Sequence, residues 1–276
     1  MKNSSLLLQF ACLACALAPA ARALPSHALR APEPVVAQAP AQDAPADKRP
    51  EIAAKIDKAK GMWGDKKGGK DSEVIAIIDE LLVEYPKSGP KDKAAIVGFL
   101  GKAFEQKRDE VSEGVPNNKL CMAAAVALGA MGPESTKTIE GWIDDKRLKK
   151  DVALVGRLIL SLGKTKDPAA TRKLIKLLEH PEPPLVSAAA QALGEFKEAD
   201  LKVRKDSFEA MLKVLMSSFN NKEGNPNDLV AKERYDIIGS PIITSLKALS
   251  GHDEREPAAW QAWWNNNKNK DWNKKD

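Results

Sequence analysis

The sequence predicts an all-α protein built as a stack of helical hairpins, and three observations carry that reading. Ala- and Leu-rich segments recur at Leu120–Gly129, Leu154–Gly163 and Leu185–Gly194, each starting with Leu nine positions before the glycine and ending in Leu-Gly. With a looser copy ending at Leu100-Gly101, the glycines lie 28, 34 and 31 residues apart, a period typical of stacked hairpins. Aromatic residues make up only 5% of the 276 residues against 43% apolar overall, so the core must be Ala, Leu, Ile and Val. Such a core suits close-packed helices better than β-branched and aromatic strands.

The chain opens with an export-type leader. Lys2 supplies a positive start, Leu6 to Ala18 is apolar apart from Gln9, and Ala21-Arg22-Ala23 offers small residues for cleavage, giving a signal peptide over 1–23. The run is shorter than the roughly 20 apolar residues of a membrane span, and no later stretch is long enough, so the mature chain is expected to be periplasmic or extracellular, without a transmembrane helix. Cys12 and Cys15 fall inside the leader, where a C-x-x-C has no folded βαβ frame. Leu13-Ala14-Cys15 is similar to a lipidation site, with Cys12 where that pattern wants an aliphatic residue; a lipid anchor at Cys15 is the alternative to cleavage. Cys121 is the sole cysteine of the mature domain, on an Ala-rich face that suits a small buried residue.

Residues 24–50, rich in Ala and Pro and without apolar periodicity, read as an extended spacer. From 51 to 264 the pattern is helical. Asp71-Ser72 caps a helix carrying Val74, Ile75, Ile77, Ile78, Leu81 and Leu82, which stops at Pro86; Pro90 opens the next through Ile96, Val97, Leu100 and Phe104. Pro116, Pro133, Pro168 and Pro183-Pro184 stand where new helices start. Leu120, Ala123, Ala124, Ala127, Leu128 and Met131 mark one apolar face, and Leu185, Ala188, Ala189, Ala192, Leu193 and Phe196 repeat it in register. Each of these helices is followed by a second, over 135–144, 169–179 and 201–219. A loop over 220–228 then leads to a further repeat helix over 242–251, a helix with Trp260, Trp263 and Trp264 at i, i+3 and i+4, and a polar basic tail over 265–276.

Leu185-Val186-Ser187-Ala188-Ala189-Ala190-Gln191-Ala192-Leu193-Gly194, with Asp167-Pro168 and His180-Pro181 at hairpin boundaries, resembles the HEAT-repeat superfamily. Its nearest likeness is to the bacterial HEAT-like repeats of the phycobilisome-lyase type, over about residues 90 to 220. The C-terminal Leu-x-Gly followed by a tryptophan-rich helix is similar to the last unit of secreted bacterial members. The resemblance implies a right-handed, armadillo-like α-solenoid of four to six hairpins, whose second helices line a concave surface that binds protein or peptide.

Signals for chemistry are weak. Gly64 to Lys70 matches the first seven positions of the phosphate-binding G-x-x-x-x-G-K-S/T, but Asp71 replaces the magnesium-binding hydroxyl and no strand precedes it. His27, His180 and His252 have no ligand-type neighbours at i+3 or i+4, Gly239-Ser240-Pro241 lacks the frame of a nucleophile elbow, and no acid–base pair stands out. Cleavage of the leader leaves 41 basic against 38 acidic residues, too even a balance to point to nucleic acid. The expectation is a non-enzyme without metal or cofactor, whose partner is a protein or peptide. Candidate contacts are Arg172, Lys173 and Lys176 on one second helix and Lys202, Arg204 and Lys205 on the next. Arg172 and Arg204 are the preferred anchors, because guanidinium pairs well with carboxylate. Trp272, outside the tryptophan-helix rhythm, is a candidate surface aromatic. Two alternatives are a glycan-binding module built on the C-terminal tryptophans and, following the phycobilisome relatives, a lyase-like enzyme.

Overall fold

The computed structural model describes residues 46–273. The leader with Cys12 and Cys15, its cleavage site, and the spacer up to residue 45 lie outside the described residues. Helix accounts for 70% of the described chain, against the 30–35% of an ordinary globular protein, and no strand is present among those residues. The protein is all-α.

Among the described residues eleven α-helices follow one another: α1 (Pro50–Gly61), α2 (Asp71–Glu84), α3 (Pro90–Ala103), α4 (Lys119–Ala130), α5 (Thr136–Ile143), α6 (Val152–Lys164), α7 (Thr171–Leu177), α8 (Pro183–Gly194), α9 (Leu201–Gly224), α10 (Leu229–Ser250) and α11 (Pro257–Asn267). Their contacts fall into two rows. Along one, α2 packs on α4, α4 on α6, α6 on α8 and α8 on α10. In the other, α1 meets α3, α3 meets α5, α7 meets α9 and α9 meets α11. Consecutive pairs (α3·α4, α5·α6, α7·α8, α9·α10) join the rows, and a continuous apolar core runs between them from Ile52 to Trp264.

The repeated glycines explain how closely the first row packs. A Cβ on Gly129 would lie 3.0 Å from the backbone of Ser161, and one on Gly163 would lie 2.6 Å from the Cα of Ala192. One on Gly194 would lie 2.8 Å from the Ser245 hydroxyl. Each glycine therefore abuts the residue two positions before the matching glycine of the next helix, and any side chain would push the axes apart. In α10 this register makes Lys247 the counterpart of the glycine. The repeat unit there is Ile238–Lys247, four residues ahead of the 242–251 read from sequence. Gly251 instead closes α10 with φ +72°, its N–H donating to the Lys247 carbonyl, the usual role of a left-handed glycine at a helix end. Gly101 belongs to the other row: its nearest neighbour is the Thr138 methyl of α5.

Two stretches differ from the sequence reading. α10 continues straight through Gly239-Ser240-Pro241, because Ile238, Ile242 and Leu246 are all fully buried and their packing outweighs the roughly 3 kcal/mol that an interior proline costs. The end of the stretch read as spacer is tied down. Asp47 accepts a bond from the Asp92 N–H (2.9 Å), and the Arg49 guanidinium bonds Glu84 (2.8 Å) and the Ser88 hydroxyl (2.6 Å) at the junction of α2 and α3.

Candidate functional site

α9 and α10 have 24 and 22 residues, whereas the neighbouring α7 and α8 have 7 and 12. With Gly194 level with Lys247, α10 starts seven residues before the first residue of α8, so at 1.5 Å per residue the α9–α10 hairpin outreaches α8 by about 10 Å. The projecting part is an arm, held by packing of Phe219 on Tyr235 (centroids 5.7 Å apart) with the Lys222 ammonium over both rings. Its tip exposes Leu229 and Val230, each about three-quarters accessible.

Beneath the arm lies an open cleft of about 340 Å³ between the end of α7 and the middle of α9. Ala210, Lys213, Val214, Ser217, Ser218 and Asn221 form one wall, at the i, i+3, i+4 spacing of a single helix face. The opposite wall is Ile175, Leu178 and Glu179, and Arg234 of α10 closes one end. Arg234 is oriented by its bonds to the Pro181 carbonyl (3.1 Å) and the His180 carbonyl (3.4 Å). Neither Arg234 nor Lys213 meets a carboxylate among the described residues. The Ser218 hydroxyl, on a residue only 5% exposed, has no hydrogen-bond partner. A buried hydroxyl left without a partner costs about 1–3 kcal/mol.

Three larger depressions lack this combination, and in one of them, about 440 Å³ just past the end of α8, Lys166 pairs with Glu195 at 2.7 Å. In one of about 540 Å³ beside α3, the rim ions Lys93 and Glu134 pair with each other at 3.5 Å. In one of about 530 Å³ across α4, α6 and α8, Lys164 pairs with Glu195. The cleft under the arm joins an apolar floor, an orphan hydroxyl and cations without acidic partners.

The seven residues singled out from sequence divide into two groups. Arg172 and Lys176 are exposed on α7 beside the cleft, and Lys173, on the same helix, is drawn to Asp144 at the end of α5. Lys202 pairs with Asp206 one turn on, at 2.6 Å. Arg204, Lys205 and Trp272 come together elsewhere, at the C-terminal end. Arg204 donates to the Leu249 carbonyl (2.9 Å) and to Asn273 (2.7 Å), and Lys205 donates to the Lys270 carbonyl (2.7 Å). Both cations lie about 5.5 Å from the centroid of the Trp272 ring, which packs edge-on against Phe208. Phe208 also touches Trp260, Trp263 and Trp264. These three residues fasten the tail over the aromatic cluster, so Arg204 is engaged within the chain, whereas Arg172 is exposed.

The cleft residues Lys213, Ser217, Ser218, Asn221 and Arg234 were not visible as a site from sequence. The face of α9 had a detectable period, but the helix runs past Phe219, and only the length of the α9–α10 hairpin brings Arg234 back beside it.

The glycine-rich stretch before α2 is not arranged for phosphate. Asp71 is buried and bonded through both carboxylate oxygens to the Arg108 guanidinium (2.7–3.2 Å), which pushes the arginine pKa above its ordinary value. Gly68 abuts that carboxylate at 2.7 Å from an ideal Cβ. His252 bonds Glu254 (2.9 Å) and stacks on Trp263, and the His180 ring nitrogen accepts the Glu182 N–H. Among the described residues no group of three or more His, Cys, Asp or Glu could hold a metal, and no helix is long and apolar enough to cross a membrane. No family model, curated protein or solved structure matches the chain.

Proposed function

We propose that this chain is an exported, non-catalytic right-handed α-solenoid of the HEAT type that binds a protein or peptide along its row of second helices. The observation that carries the reading is the cleft between α7 and α9, two successive second helices, with an apolar floor and unpaired cations at its rim. The pairwise contact of helices along each row supports the solenoid, since every hairpin buries its apolar face only against its neighbours. The leader over 1–23 supports export to the periplasm or beyond.

The test is affinity capture from the native cell envelope with the immobilised mature chain, followed by mass spectrometry. A protein scaffold retains one or a few partners in stoichiometric amount and ignores added oligosaccharides. Arg172→Ala with Lys176→Ala weakens that capture at least about tenfold, as expected of anchoring residues, while leaving the melting temperature unchanged. Retention that survives the double substitution removes the α7 cations from the reading. The absence of any stoichiometric partner rejects the scaffold itself.

A further inference from the structure

We infer that the cleft under the α9–α10 arm is a receptor for the C-terminus of an extended peptide, taking a free carboxylate at Arg234 and aliphatic side chains on its floor. The inference rests on the peptide-binding reading above and names what the peptide must carry.

Length, polarity and charge each support it. From Ala210 to Asn221 the lining face of α9 rises about 17 Å, the span of about five extended residues. The cleft is polar at one end and apolar in its middle. Arg234 stands one residue before Tyr235, whose ring packs on Phe219, so its guanidinium belongs to the end occupied by Ser218 and Asn221. Ile175, Leu178, Ala210 and Val214 form the apolar stretch that follows.

The polar end is suited to a carboxylate in particular. Arg234 uses two of its five N–H groups on the His180 and Pro181 carbonyls, which fix its plane and leave donors free. Lys213, next to Ala210 and Val214 on the same face of α9, adds a second positive charge to the lining, against the single carboxylate of Glu179 on the α7 wall. An internal peptide segment presents a negative charge to Arg234 only where it carries Asp or Glu, whereas a terminal carboxylate forms a charge-assisted pair with it whatever the sequence.

The probe is a pool of pentapeptides with randomised sequence and a free C-terminal carboxylate, compared with the same pool amidated. Both are passed over the immobilised mature chain, and the retained peptides are sequenced. The acid pool is expected to be retained at least about tenfold over the amide, as for loss of one charge-assisted bond, with Val, Leu or Ile enriched at or next to the terminus. Arg234→Gln and, separately, Lys213→Glu abolish the preference for the acid. Lys213 is exposed, so its substitution decides the matter if Arg234→Gln fails to fold. Equal retention of the two pools, no retention, or an acid preference that survives Lys213→Glu overturns the inference. If the envelope partner is still captured by Lys213→Glu and Arg234→Gln while the pools show no preference, the scaffold reading stands and this site falls. A clear acid preference without any captured envelope partner leaves the site and rejects the scaffold.

Discussion

At the scale of single residues, the spacing of helices is set by what a glycine lacks. Gly163→Ala places a methyl carbon 2.6 Å from the backbone of Ala192, where no side chain can move aside. The α6–α8 contact must open, and the expected loss is about 1–3 kcal/mol by urea unfolding, the range for overpacking. Gly98, on the exposed side of α3 with nothing within 4 Å of its Cβ position, is the contrasting case. Gly98→Ala is expected to gain about 0.5–1 kcal/mol through helix propensity alone. Equal effects at the two positions would mean that the glycines are not contact points. Cys121 is a second residue with a clear outcome. Burial pushes its thiol up to about 11 despite the nearby Arg108, and its sulfur lies 3.7 Å from the Ala103 carbonyl. At pH 8 the native protein should leave the Cys121 peptide unlabelled by iodoacetamide, with labelling appearing only in denaturant.

At the scale of elements, what sequence revealed depended on repetition. α4, α6 and α8 carry the Leu-to-Leu-Gly pattern three times, so a reader can align them and place their buried faces at Ala124, Leu158 and Ala189. α10 hides the same unit, because Lys247 breaks the Leu-Gly signature and Pro241 suggests a boundary where the helix continues. The connection over 104–118 carries no periodicity, and its role appears only in three dimensions. Arg108 reaches back to the buried Asp71 at the first turn of α2, and the Asp109 N–H bonds the Lys66 carbonyl. Removing the guanidinium alone, as in Arg108→Ala, strands a buried carboxylate and is expected to cost about 3–5 kcal/mol. Replacing both partners with apolar residues, Arg108→Met with Asp71→Leu, should recover most of that loss. A double variant as unstable as the single one would show that the connection needs the ion pair itself. The candidate cleft was illegible for a related reason. Its walls come from α7, α9 and α10, and no local spacing links Ile175 to Arg234.

At the scale of the whole molecule, stability is distributed through neighbour-to-neighbour contacts, and some of these are ionic. Glu195, just past α8, accepts bonds from Lys164 and Lys166 at the end of α6. Burial alone would raise its carboxyl, but these hydrogen bonds bring it below the ordinary value of 4.5. The folded-state pKa lies below the unfolded one, so this contribution is fully present above 4.5 and is lost as pH falls through the lowered value. The melting temperature of Glu195→Gln should therefore lie below that of the parent by a constant margin from pH 7 to about 5, and the margin should close on further acidification. A margin that persists at pH 3 would assign the effect to packing instead of charge. The near-even balance of acidic and basic residues was legible from composition, but not which ions join adjacent hairpins, since Lys164 and Glu195 lie 31 positions apart.

Lys247 gives the row of helices a direction of growth. At Gly129, Gly163 and Gly194 the next helix can approach because nothing projects, whereas at Lys247 a long, exposed cationic side chain, paired with Asp253 at 2.6 Å, occupies the same height. The array thus carries its own stop signal in one codon, independent of the aromatic cluster that closes the other row. Lengthening the protein by grafting a copy of α7–α8 after α10 would first require Lys247→Gly.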